Sequence, residues 1–200
     1  MGLIKMYVIN MIGYMIVALP FYLIARVVFL KRKKKRVELM RESMLALFVL
    51  YIVGLASQTI IPRWDAGMMA DTGKLYFDVY LYNGIAHVNL IPFHTISQYF
   101  FTTNVNVDNW GGLSLVNIVG NMLVFSPIGI FVPILWSRMR SFSKILFLGL
   151  GITCFIELIQ LFIGRSTDID DVILNVIGVL IGYSMYALLK IPFYKVALRS

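Results

Sequence analysis

The sequence predicts an all-α integral membrane protein, a bundle of about five transmembrane helices with one larger extracytoplasmic loop. Three observations predict this fold class. First, the 200 residues are 60% hydrophobic with a mean hydropathy of +0.82, whereas an ordinary soluble domain is roughly 45–50% apolar. Second, several apolar stretches approach the about 20 residues that a helix needs to cross a bilayer. Third, basic residues cluster between these stretches, as they do in the cytoplasmic loops of membrane proteins.

Five apolar segments have the length of a membrane span or approach it. They are residues 6–30, 43–61, 113–136, 145–163 and 172–189. Only Lys5 precedes the first segment, whereas a secretory signal carries its positive charges ahead of the apolar stretch. We therefore predict a retained helix with an extracytoplasmic N-terminus. The predicted parts of the chain are an N-terminal helix with a basic cytoplasmic segment (1–42), the main membrane domain (43–190) and a cytoplasmic tail (191–200).

The distribution of basic residues predicts the orientation. Six of them form one run at 31–36, directly after the first apolar segment, and Arg138, Arg140 and Lys144 lie between the third and fourth segments. The positive-inside rule puts these groups in the cytoplasm. Because a juxtamembrane run of this kind is attracted to anionic lipid headgroups, the net charge of +8 does not indicate nucleic-acid binding.

The connection at residues 62–112 is the only one long enough to have structure of its own. Within it, 74–82 is rich in β-forming residues and ends at Asn83-Gly84, a favoured hairpin turn, so we predict a small hairpin. Residues 88–96 are too apolar to lie in water and too few to span a bilayer. We predict that they lie against the outer membrane face as a re-entrant or interfacial segment.

Each of the last three apolar segments carries polar side chains at helical spacing. They are Asn117 and Asn121, then Glu157 and Gln160, then Asp171 and Asn175. Because an unsatisfied polar group in hydrocarbon costs several kcal/mol, these stripes are expected to face one another. A rise of about 1.5 Å per residue places them roughly 5–15 Å below the outer surface. The simplest alternative is that they only hydrogen-bond the helices together.

Glu157 is the leading candidate for function and for catalysis, because an ionisable residue within a membrane marks an ion, proton or substrate site. Arg165 follows two turns later and is a possible partner. The connection at 164–171 has two compatible interpretations. Thr167 or Asp168 caps the fifth segment, or the carboxylates bind a divalent cation or an ammonium group while the arginine holds an anionic headgroup.

The sequence contains no recognised motif of a soluble enzyme or cofactor site. His87 and His94 have no standard zinc spacing and no third ligand, and Cys154 is the only cysteine. Phosphate-binding loops, nucleophile elbows and zinc-protease motifs are absent from the sequence. We expect no metal and no cofactor. The Gly178-x-x-x-Gly182 pair predicts a face for close helix packing.

Four polar motifs occur in order over about residues 46–189. They are Asn89-Leu90-Ile91-Pro92-Phe93; Asn117-Ile118-Val119-Gly120-Asn121 followed by Phe125-Ser126-Pro127-Ile128-Gly129; Ile156-Glu157-Leu158-Ile159-Gln160; and Arg165-Ser166-Thr167-Asp168-Ile169-Asp170-Asp171 with Asn175 and Gly178. Together they resemble the VanZ-like family of bacterial membrane proteins. The resemblance implies a multi-pass protein of the bacterial cell membrane with an important polar cluster. The named member of that family is associated with resistance to teicoplanin-type lipoglycopeptides.

We therefore expect an outward-facing polar pocket that binds a membrane lipid, a cell-wall lipid or a lipoglycopeptide and contributes to teicoplanin-type resistance or envelope homeostasis. The candidate ligand-binding residues are Asn89, Asn117, Asn121, Glu157, Gln160, Arg165, Asp168, Asp171 and Asn175. Two alternatives stay open. One is a membrane enzyme acting on a lipid-linked envelope substrate, with Glu157 or Asp171 as general acid or base. The other is a small proton-coupled transporter, which five helices without a repeat fit poorly.

Overall fold

A computed structural model of the chain describes residues 2–33, 38–80, 88–102 and 110–189. The helices in these ranges are α1 (Gly2–Lys33), α2 (Leu39–Thr59), α3 (His94–Phe101), α4 (Trp110–Leu135), α5 (Phe142–Phe162) and α6 (Ile169–Leu188). All of them except α3 are long and apolar enough to cross a membrane. The predicted all-α membrane fold with five spans is therefore confirmed. Residues outside the described ranges include 34–36 of the basic run, the Asn83-Gly84 turn, His87 and the tail at 191–200.

The core of the bundle is formed by α2, α4, α5 and α6. Its buried apolar side chains are Leu55, Phe125, Ile128, Val132, Ile145, Ile156 and Val179. By contrast, α1 packs beside α2: Met11 and Met15 lie against Gly54, and Arg26 Nε donates to Glu42 Oε2 at 2.6 Å. These pairs make α1 and α2 antiparallel neighbours. Most other apolar side chains of α1 are exposed, as expected for a helix surrounded by lipid.

Close backbone contact joins α4 and α6. Gly178 lies against Met122, and Gly182 lies against Ser126, so the two helices run in the same direction. A Cβ atom at Gly182 would overlap the backbone oxygen of Ser126, and one at Gly129 would overlap the backbone oxygen of Val179. The predicted packing face at Gly178 and Gly182 is confirmed, because only glycine lets the backbones approach this closely.

Two carbonyls near the prolines of α4 are bonded by side chains. Pro127 has no N–H for the carbonyl of Leu123, and the hydroxyl of Ser126 donates to that oxygen at 2.9 Å. Beyond Pro133, the guanidinium of Arg140 donates to the proline carbonyl at 2.9 Å. These bonds matter in a membrane, where water is not there to bond a free carbonyl.

A hairpin follows α2, with a turn that the sequence analysis did not predict. Strand β1 (Arg63–Met68) pairs antiparallel with β2 (Leu75–Tyr80), and the turn lies at residues 69–74. Gly73 has a φ of 65° there, a left-handed conformation that suits glycine. The predicted strand therefore pairs with the residues that precede it in the chain. The predicted turn at Asn83-Gly84 lies outside the described residues.

A second, very short sheet joins the long connection to the start of the last helix. Strand β3 (Val88–Asn89) pairs in parallel with β4 (Thr167–Asp168), so that Asn89 lies opposite Asp168. The apolar segment predicted at 88–96 consists of this strand, a bend and the beginning of α3. This arrangement brings α3 against the first turn of α6. The position of the segment at the membrane face stays a prediction.

Candidate functional site

Asp168 connects three parts of the chain. It is the N-cap of α6, and its Oδ1 accepts a hydrogen bond from the backbone N–H of Asp170 at 2.9 Å. The same oxygen accepts from Asn89 Nδ2 at 3.1 Å, and Oδ2 accepts from the hydroxyl of Thr95. The predicted capping role is confirmed for Asp168. Because protein donors bond both of its oxygens, Asp168 orders the surrounding segments.

Asp170 has a structural role that was not predicted from the sequence. It is 1% exposed, and its two oxygens accept from the backbone N–H groups of Phe93 and Ile96, the latter at 3.0 Å. These groups belong to the start of α3, where Phe93 has a left-handed φ of 63°. Asp170 therefore caps α3 from the neighbouring helix, and its negative charge complements the positive end of the α3 dipole.

Glu157 lies near the end of α5 and is 5% exposed. Its Oε2 accepts from the backbone N–H of Asp168 at 3.2 Å, and its own carbonyl accepts from the hydroxyl of Thr167 at 3.2 Å. No basic side chain of the described residues forms an ion pair with it. Glu157 is thus a buried carboxylate, held beside β4 without a paired cation.

The structure does not bear out the pairing of Arg165 with Glu157. Arg165 Nη1 donates to the carbonyls of Gln58 and Thr59 at 3.1 and 3.0 Å. Gln160 also bonds α2, because its Nε2 donates to the Thr59 carbonyl at 3.0 Å. Both side chains therefore bond the C-terminal end of α2. A cation is favourable there because the last carbonyls of a helix lack helical partners and form its negative end.

Asp171 and Asn175 lie one turn apart on α6. Asn121 Nδ2 of α4 donates to Asp171 Oδ1 at 2.8 Å, which confirms that these two stripes meet. Asn175 is 4% exposed, and its Oδ1 has no hydrogen-bond partner within the described part of the chain. A buried amide oxygen without a donor is uncommon, because it costs about 1–3 kcal/mol.

Asn117 lies at the edge of this region. It is exposed, and its Nδ2 is 3.4 Å from the hydroxyl of Tyr99 on α3, a distance typical of a weak bond. Burial raises the pKa of the Tyr99 phenol above its usual value, so this hydroxyl is neutral at physiological pH. Asn117 thus contacts the connection and is not in the centre of the site.

The structure brings together six side chains where α5 ends and α6 begins, and five of them were candidate residues in the sequence analysis. We call Asn89, Thr95, Asn121, Glu157, Asp168 and Asp171 the polar cluster. Thr95 and Asp170 were missed by the sequence analysis, since both bond across a sequence separation of more than seventy residues. Gln160 and Arg165 lie beside the cluster, bonded to α2.

Carboxylates outnumber cations in and around the polar cluster. Asp168 and Asp170 each accept hydrogen bonds from the protein through both oxygens, whereas Glu157 and Asp171 each accept one through a single oxygen. An ionised carboxylate has about four acceptor sites, so both retain acceptor capacity. In the described ranges, no group of three or more His, Cys, Asp or Glu side chains is arranged to hold a metal ion. The cluster is suited to binding hydrogen-bond donors.

These features define a multi-pass helical membrane protein with an acidic polar cluster at one end of its bundle. The family model of VanZ/LLP1 matches residues 44–190. The chain belongs to this family, which is linked to teicoplanin resistance. No curated protein and no solved structure gives a match to the chain. The family region begins within α2, so α1 and the basic run precede it.

Proposed function

We propose that this protein binds the polar head of an amphiphile in the outer leaflet of a bacterial cell membrane, and that binding lowers sensitivity to teicoplanin-type lipoglycopeptides. The amphiphile is a lipoglycopeptide or a membrane lipid whose head carries hydrogen-bond donors. One observation carries the proposal: Glu157 is buried in a membrane-spanning helix and has no ion-pair partner among the described residues. Membership of a family linked to teicoplanin resistance supports the stated phenotype.

The chemistry of the head follows from the charge of the cluster. Taking a carboxylate out of water is costly unless donors or a cation replace the lost hydration. Glu157 and Asp171 accept few bonds from the protein, so an ammonium group or several N–H and O–H donors of a ligand would complete their coordination. Charge-assisted bonds of this kind are about twice as strong as neutral ones.

The side of the membrane follows from the arrangement of the helix ends. The polar cluster lies where α5 ends and where α6 begins, and the 62–112 connection meets them there. In the sequence, the basic groups at 31–36 and 138–144 adjoin the other ends of the spans. Under the positive-inside rule these groups are cytoplasmic, so the cluster opens outward. A ligand in the outer leaflet could then reach it without crossing the bilayer.

The other candidate residues support the cluster in this proposal. Arg165 and Gln160 attach the end of α2 to the α5–α6 connection, and Asn89 attaches the extramembrane segment to α6. Asn121 orients Asp171. Asn175, with its unpaired buried oxygen, is a further acceptor on the same face of α6 as Asp171.

The test is the substitution Glu157→Gln, which keeps size and hydrogen bonding but removes the negative charge. Glu42→Gln is the matched control, because Glu42 is also a carboxylate in a membrane span but is paired with Arg26 near the other membrane face. Each variant is expressed in a susceptible host, and teicoplanin susceptibility is measured after normalisation to the amount of protein in the membrane fraction. Binding of teicoplanin to the purified protein in lipid nanodiscs is measured in parallel.

We expect the Glu157→Gln protein to accumulate normally and to lose both the protection and the binding, while Glu42→Gln keeps them. A purely structural glutamate would tolerate glutamine or gain stability from it, because less charge is desolvated. Full protection by Glu157→Gln would therefore contradict the proposal. If protection is lost but teicoplanin binding is absent in the unsubstituted protein as well, the ligand is a membrane lipid, which mass spectrometry of the purified protein would identify.

A further inference from the structure

The hairpin formed by β1 and β2 has one entirely apolar face. In its register Trp64 lies opposite Val79, Ala66 opposite Phe77, and Met68 opposite Leu75. Because side chains alternate between the two faces of a strand, these six share one face. The other face carries Asp65, Gly67, Tyr76 and Asp78. The hairpin is therefore amphipathic, with one apolar face and one polar face.

The apolar face is largely uncovered by the described residues. The exposed fractions are 85% for Leu75, 67% for Met68, 66% for Phe77, and 50% for both Trp64 and Val79. A two-stranded hairpin is marginally stable in water at best and needs something packed against its apolar face. A contiguous apolar patch of this kind marks a surface that contacts another apolar phase or molecule.

The contacts of Trp64 show which way this face is turned. Its ring stacks on Phe77 at a centroid distance of 5.8 Å, and its Nε1 donates to the hydroxyl of Tyr14. Tyr14 belongs to the span at Val8–Arg32 and lies level with Gly54, five residues before α2 ends. The apolar face is thus turned back along α1, toward the level of the membrane.

The polar face of the hairpin needs contact with water or with hydrogen-bond donors. Asp65 and Asp78 lie directly opposite each other, a like-charge cross-strand pair that is unfavourable unless water or a donor screens it. The hydroxyl of Tyr76 donates to Asp65 Oδ2 at 3.2 Å. This face is therefore suited to water. Only residues 60–62 separate the hairpin from the end of α2, so it cannot lie far from the bilayer surface.

We propose that the β1–β2 hairpin lies flat in the membrane interface, with its apolar face in the boundary between phospholipid headgroups and acyl chains and its polar face in water. The occupant of the apolar face is the lipid bilayer itself. Tryptophan and tyrosine are enriched at this depth, where an amphipathic ring is half in hydrocarbon and half wet. The Trp64–Tyr14 bond then holds α1 to the interface. The proposal does not depend on a ligand at the polar cluster.

The test compares two neighbouring positions of β2 that lie on opposite faces. Cys154 is replaced by alanine, a single cysteine is introduced by Phe77→Cys or by Asp78→Cys, and each protein is spin-labelled and reconstituted in vesicles of phosphatidylethanolamine and phosphatidylglycerol. Collisions of the label with oxygen, which concentrates in lipid, and with a neutral nickel chelate, which stays in water, are measured by electron paramagnetic resonance. We expect the label at 77 to favour oxygen and the label at 78 to favour the chelate.

Two results would overturn the proposal. If both labels favour the chelate, the hairpin stands in water. If the label at 77 is shielded from both reagents, a protein or a second copy of the chain covers the apolar face. A second measurement needs no change within the hairpin: with Trp110 and Trp136 replaced by phenylalanine, Trp64 fluorescence should be quenched by brominated phospholipids and not by aqueous iodide. The reverse pattern of quenching would also refute interfacial insertion.

Discussion

Replacing Gly182 by alanine should weaken the bundle, because the added methyl group has no room to move. Its Cβ would overlap the backbone oxygen of Ser126 on α4, and a backbone obstacle cannot rotate away as a flexible side chain does. The helices would have to separate along their closest contact. Overpacking of this kind costs up to about 3 kcal/mol, and the better helix propensity of alanine returns about 1 kcal/mol. The net loss is about 2 kcal/mol, which lowers the folded-to-unfolded ratio about 30-fold.

The matched control is Gly120→Ala in α4, where a Cβ would meet nothing within 4 Å. This change should leave stability unaltered or raise it by up to about 1 kcal/mol. Both variants are purified in the same detergent, and thermal unfolding is followed by the loss of monodisperse protein on size-exclusion chromatography. A net loss of about 2 kcal/mol corresponds to a midpoint lower by about 4–8 °C for a chain of this size. Equal midpoints for the two variants would refute the close approach of α4 and α6.

Three further outcomes are expected. Asp170→Asn should lower the amount of folded protein, because one of two backbone N–H groups at the start of α3 loses its acceptor, at a cost of about 1–3 kcal/mol; unchanged accumulation on a quantitative membrane blot would contradict the capping role. Asn117→Ala should have a small effect, below about 0.6 kcal/mol, because its bond to Tyr99 is long and exposed, and the same blot measures it. In a Cys154→Ala background, an impermeant thiol reagent should label a cysteine at Asp71 in intact cells but not one at Lys34; the reverse would overturn the orientation and the outward opening of the polar cluster.

The membrane fold could be predicted from the sequence because the lengths of apolar segments carry most of the information. All five predicted segments coincide with helices of the structure to within a few residues at most ends. Three finer features could also be predicted: the close-packing glycines at 178 and 182, the cap at Asp168, and the pairing of Asn121 with the α6 stripe. Each depends on local spacing along one helix or on the need of a polar group for a partner in lipid.

The errors have a common physical origin. Arg165 and Gln160 were assigned to the neighbourhood of Glu157 because only side chains were counted as partners. In the structure both bond the terminal carbonyls of α2, which are strong acceptors at every helix end but do not show in a sequence. The role of Asp170 was missed because its partners are backbone groups of a connection far away in the chain.

The pairing of β3 with β4 has a consequence for the order in which the protein assembles. Asn89 and Asp168 are 79 residues apart, and α4 and α5 lie between them. A nascent chain that has inserted its first four spans therefore still lacks the acceptors that hold α3 and the apolar segment before it. The polar cluster can form only after residues 167–171 have been synthesised, when the first four spans are already complete. A chain truncated before residue 167 would keep Glu157 and four of its five spans, yet it could not build the site.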